Sequence, residues 1–220
     1  MFGKDDAGVA LIIIHPSSLL KGPRGSINTL VRRNKHLWTD FNNHKRFLML
    51  GPSEIDWRNN LGKAGYVQRE YPNGKDKIGW LKKIYEEARK EKAIVGYEPN
   101  RDIKIAAEEF VHELKHKEMV TDVVISGGFI GTLPDLQGNE PCVVAALRDL
   151  FSPNFTCWLV LEDLSWWGES ITGMGKAEER FKKVNERFPK IGDVKVLPTG
   201  RIQAKEFYEK CLASRGKGAK

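Results

Sequence analysis

The chain has little cysteine: three in 220 residues, Cys142, Cys157 and Cys211, widely spaced and without a C-x-x-C pair. An odd count at such spacings excludes a disulfide framework and a cysteine-built zinc site, and it fits a reducing compartment. Long apolar runs are also missing. The longest, "GVALIIIHP" at 8–16, is far too short to span a bilayer. Its acidic, strand-like flank lacks the basic segment and cleavage site of a secretory signal. The expectation is an intracellular protein that avoids the membrane, with cytoplasm and mitochondrion both open.

Histidine is sparse as well: five in all, none after His116. This matters because "FVHELKHKEM" (110–119) spells H-E-x-x-H through His112, Glu113 and His116. On a helix the two histidines would face one way and could hold zinc, with Glu113 activating a bound water. Such a site needs a third ligand from a following element, and no later histidine exists. Lys115 between the ligands works against a divalent cation. The expectation is therefore two histidines on the wet face of a helix, with no metal and no cofactor; a zinc metallopeptidase is the remote alternative.

What the sequence does have is a core and a basic excess. Apolar residues make up 40%, six tryptophans are present, and the formal net charge is +7. One well-buried domain fits the length. "GVALIIIHP" has the β-branched continuity of a strand buried on both faces. Ser26 is placed to cap a helix reaching Asp40, with Ile27, Leu30, Val31, Leu37 and Phe41 on one face. "HKRFLMLG" (44–51) reads as a strand, and 52–78, rich in Gly, Pro and Asn, as an irregular insertion. Helix and strand then alternate: a helix from "IGWLKKIYEEARKEK", strand 93–99, helix 103–118, strand 121–128, helix 142–151, strand 156–164, helix 176–188, strand 194–198 and a closing helix 201–212. This order predicts an α/β fold, doubly wound, with a mostly parallel sheet and helices on both faces in a Rossmann-like three-layer arrangement. The domain would span 1–212, followed by a basic tail at 213–220.

Taken in order, "TDVVISGG", the cysteine opening "PCVVAALRDLF", "LVLEDLSWWGES" and "RFPKIGDVKVLPTGRI" resemble the isochorismatase-like cysteine hydrolases. The resemblance covers about two thirds of the chain. It implies a doubly wound sheet and a triad of Asp, Lys and Cys, in which the thiolate attacks an amide or related carbon. Cys142 matches the nucleophile, in a first helical turn where the positive helix end favours a thiolate, with Asn139 as cap and Pro141 in the first turn. The other positions depart. His15 stands where the aspartate is expected; Asn100, Arg101 or Lys104 stands near the lysine's place; the loop from Gly128 to Cys142 is long. One expectation from this pattern is an active hydrolase with Cys142 as nucleophile and His15 or Lys104 assisting, acting on C–N or related bonds, as a homo-oligomer if active.

The other expectation, which the sequence favours, is a fold kept without its chemistry: a pseudoenzyme serving as a basic subunit of a ribonucleoprotein of the ribosomal kind, mitochondrial ribosomes included. "RRNKHLW" (32–38) and "HKRF" (44–47) interleave cations with aromatics, the ingredients of RNA contact. The candidate contacts are Arg32, Arg33, Lys35, Trp38, Lys45 and Arg46, with Arg215 and Lys217 in the tail and the 52–78 segment beside them. RNA and other protein subunits would be the partners.

Overall fold

β-branched and aliphatic residues without polar interruption form β1, Val9–Ile14, all six buried. A strand apolar on both sides needs cover on both sides. The computed structural model, described for residues 8–97, 103–130, 141–166, 174–187, 194–197, 207 and 209, supplies it. β1 is central in a six-stranded sheet of order β3-β2-β1-β4-β5-β6, with β2 at Lys45–Leu50, β3 at Ile94–Gly96, β4 at Asp122–Phe129, β5 at Thr156–Ser165 and β6 at Val194–Val196. Every pairing is parallel, so the α/β expectation holds and "mostly parallel" becomes wholly parallel.

Strand alternation sorts the core into two layers. Val9, Leu11 and Ile13 pack with α1 (Arg24–Asp40) and with Leu81, Ile84, Tyr85 and Ala88 of α5 (Ile78–Lys90). Ala10, Ile12 and Ile14 pack with Ala107, Val111 and Leu114 of α6 (Ile103–His116), with α7 (Cys142–Ala146), and with Phe181 and Val184 of α8 (Met174–Arg187). Each buried branched side chain contributes about 1.5–3 kcal/mol.

Three local expectations change. α1 begins at Arg24 with Pro23 in extended backbone before it, and Ile27 N–H donates to the Pro23 carbonyl. Ser26 thus lies inside the helix, buried, instead of capping it. Proline's fixed φ sets the helix start earlier than a hydroxyl would. The insertion 52–78 is not irregular: it folds as α2 (Pro52–Ile55), α3 (Trp57–Asn60), α4 (Ala64–Glu70) and a 3-10 turn at Lys75–Lys77. Gly, Pro and Asn shorten these helices without abolishing them, and Trp57, Leu61 and Tyr71 bury against the α5 side. The helix expected at 142–151 runs as α7 and then widens into a π-helix at Leu147–Phe151, with Pro141 as N-cap. The 3-10 turn Pro16–Leu20 after β1 was not legible. Asn139 lies outside the described residues, as do the tail and all of the closing helix but 207 and 209.

Candidate functional site

In this strand order the sheet reverses direction of growth between β1 and β4, and the crevice outside their carboxyl ends is where α/β proteins bind ligands. His15 is the first residue beyond β1. Its backbone is left-handed, φ 42° and ψ 62°, a conformation that costs a non-glycine residue about 1–3 kcal/mol, and Pro16 follows it. Two backbone bonds hold the turn: His15 N–H donates to Met49 O at 2.8 Å, and Ser18 N–H donates to His15 O at 2.9 Å.

Cys142 approaches from the other side of the crevice. Gly127 has φ +99°, and a Cβ there would stand 2.3 Å from the Ile14 carbonyl oxygen; one at Gly128 would meet that same oxygen at 3.1 Å and the Val143 side chain at 3.4 Å. Only glycines let β4 and α7 press this closely on the end of β1. This brings the Cys142 side chain into electrostatic reach of the His15 imidazole. Burial pulls the imidazole pKa down, but the Cys142 sulfur, the Glu54 carboxylate and the Tyr97 carbonyl outweigh it and raise the pKa to about 9. His15 Nε2 lies 3.4 Å from that carbonyl oxygen. Cys142 is half-exposed, whereas Cys157 is buried in the sheet, where burial first and the Asp122 charge second push its thiol up to about 12.

Sequence reasoning missed Glu54. It is buried, and its Oε1 accepts the Ser17 N–H at 2.9 Å and the Tyr85 hydroxyl at 3.0 Å, while Oε2 accepts the Gly51 N–H at 3.1 Å. The signal was "GPSE": proline at N1 and glutamate at N3, whose side chain reaches back to the N-cap N–H. Tyr71 is buried as well, and its phenol is pushed up by burial, with the Tyr66 and Glu54 charges adding to the shift.

Of the proposed RNA contacts, four are engaged within the fold. Trp38 is 2% exposed and donates its indole N–H to Glu87 at 2.9 Å, so it is not available to stack on a base. Arg46 is buried; it binds Glu91 and the Trp38 carbonyl, and its guanidinium lies 4.2 Å from the Trp38 ring centre. Arg33 donates to the Glu162 carbonyl at 3.0 Å, and Lys45 pairs with Glu118. Arg32 and Lys35 are exposed; Arg215 and Lys217 lie outside the described residues. Lys104 is the second residue of α6, but its side chain, like Asn100 and Arg101, is outside the described set.

His112 and His116 sit on the outer face of α6, ring centres 4.5 Å apart, and Glu113 pairs with Lys117 instead. Among the described residues no group of three or more His, Cys, Asp or Glu is placed to hold a metal ion, and no helix there is long and apolar enough to cross a membrane. No family model, curated protein or solved structure matches the chain.

Proposed function

We propose that the chain is a cysteine hydrolase of isochorismatase-like type, with Cys142 as nucleophile and His15 as its proton partner in the aspartate's place. The observation that carries this is that the Cys142 side chain lies close enough to the His15 imidazole to act on its charge, at the sheet's switch point. In the reaction the imidazole takes the thiol proton and Sγ forms a bond to the carbonyl carbon of an amide-like substrate. The C–N bond then breaks as the imidazolium protonates the leaving nitrogen. Water attacks the thioester, its proton passing to His15, and the sulfur leaves and recovers a proton. The strained His15 backbone supports the reading, since strain of this kind collects at functional sites.

The non-catalytic subunit keeps narrower support: the net charge of +7 and the exposed Arg32 and Lys35.

The test is limiting alkylation at pH 7 with peptide mass mapping. Cys142 is expected to react about tenfold faster than Cys211 or an unperturbed thiol, with Cys157 unreactive, and His15→Asn is expected to remove the advantage while keeping the left-handed turn, which asparagine tolerates. Alkylation of Cys142 at or below the rate of Cys211 overturns the hydrolase and leaves the subunit reading, which sedimentation of native extract with and without ribonuclease then decides.

A further inference from the structure

The Cys142–His15 pair leaves one question of chemistry open: what stabilises a charged imidazole in a crevice that withdraws water from it. Desolvation disfavours the imidazolium, so a second anion must stand near by. Cys142 is on one side. On the other, the described residues that converge on His15 come from β2, α2 and β3: Gly51, Glu54 and the Tyr97 carbonyl.

Gly51 locates the geometry. A Cβ at this residue would meet His15 Nε2 at 3.4 Å and Glu54 Oε2 at 3.9 Å. The imidazole nitrogen and the carboxylate oxygen therefore border the same small space, which the absent side chain keeps open. Glu54 is held there by three donors, Ser17 N–H, Gly51 N–H and the Tyr85 hydroxyl. Two of these donors are backbone groups flanking the site: Ser17 lies two residues beyond His15, and Gly51 follows β2 and caps α2. A carboxylate fixed by three hydrogen bonds has a set position and is oriented before any substrate arrives.

We propose that Glu54 is the positioning residue of the site: its carboxylate fixes the left-handed His15 turn through Ser17 and holds the imidazolium beside Cys142 by charge. This rests on the Cys142–His15 reading and adds its third member, an acid supplied by the 52–78 segment instead of by the end of β1. The segment thereby gains a role. α2 closes the side of the crevice that the strands leave open, and α5 backs it through Tyr85.

Glu54→Gln removes the charge and keeps the shape; Tyr85→Phe removes one donor and keeps the charge. The test follows the His15 ring by NMR titration in the full chain, with Cys142 alkylation at pH 7 and Tm measured on the same samples. Glu54→Gln is expected to lower the His15 midpoint by about one pH unit and to slow Cys142 alkylation roughly three- to tenfold. Tyr85→Phe is expected to lower Tm while moving the midpoint far less. Equal, small midpoint shifts in the two variants, with wild-type Cys142 still fast, would make Glu54 a purely structural group and overturn this proposal alone. If Glu54→Gln moves the midpoint but wild-type Cys142 never outpaces Cys211, the positioning stands and the hydrolase falls. Should Glu54→Gln not fold, Gly51→Ala, whose methyl would press on His15 Nε2, replaces it; an unmoved midpoint there overturns the proposal.

Discussion

At the scale of single residues, two positions with positive φ stand beside the crevice, Gly127 and His15. Gly127 carries φ +99°, and a Cβ there would stand 2.3 Å from the Ile14 carbonyl oxygen, so Gly127→Ala must separate β4 from the end of β1. We expect a loss of about 3 kcal/mol or more, read by urea denaturation. His15 carries the charge. Its folded pKa is raised to about 9 from 6.5, so its contribution to stability is fully present below pH 6.5 and is lost as pH rises through 9. Cys142→Ala takes away the sulfur and leaves the burial. The His15 midpoint in that variant should fall well below 9 by NMR, and the stability difference from wild type should vanish above it. A midpoint unmoved by Cys142→Ala would mean the two side chains are not coupled.

At the scale of elements, β5 shows where a strand departs from its ladder. Its register against β4 shifts between Ile125 and Gly127, skipping from Leu159 to Leu164. In the stretch so released Asp163 is fully buried; its carboxylate oxygens have no hydrogen bond among the described residues, and Arg33 Nε is 3.8 Å away. Burial raises this carboxyl to about 7, Arg33 opposing and Glu162 assisting. A carboxyl pKa raised by folding favours the native state below about 4, and that advantage is lost as pH rises through 7. Asp163→Asn should therefore stabilise the protein at pH 8 by about 1 kcal/mol or more, with the gain fading towards pH 4 in parallel melts. At the end of α5, Lys92 is left-handed, φ 55°, in the position glycine usually takes; Lys92→Gly should add about 0.5–1 kcal/mol in the same assay. The apolar periods that gave strands and helices their places were legible because burial on both sheet faces demands them. Of the proposed site, the sequence points to His15 and Cys142 and not to Glu54. His15 and Cys142 follow from a strand end and a helix start, whereas Glu54 belongs to short helices whose punctuation reads as loop and whose fold depends on burying Trp57 and Tyr71.

At the scale of the whole molecule the question is what a net charge of +7 does. In the sequence the cations at 32–47 stand in one run beside aromatics, and that adjacency reads as a nucleic-acid surface. Folding separates them by helix phase. Trp38 turns inward, Arg46 follows it across its ring, and Lys45 and Arg33 find partners just after α6 and on β5, so three of the run's five Lys and Arg side chains are engaged by the fold. Arg32 and Lys35 remain exposed on α1. Arg46→Gln takes a buried guanidinium away from the Trp38 carbonyl, the Trp38 ring and the exposed Glu91 and should cost about 2 kcal/mol, whereas Arg32→Gln with Lys35→Gln should leave Tm unchanged. On single-stranded RNA the double variant tests the surface directly. Each phosphate neutralised contributes about 0.7 to the slope of log affinity against log salt, so two contacts account for about 1.4. A reduction of that size would make α1 a genuine RNA face, and Arg46→Gln, if folded, should not reproduce it. A slope untouched by the double variant would leave the charge of this region to the fold.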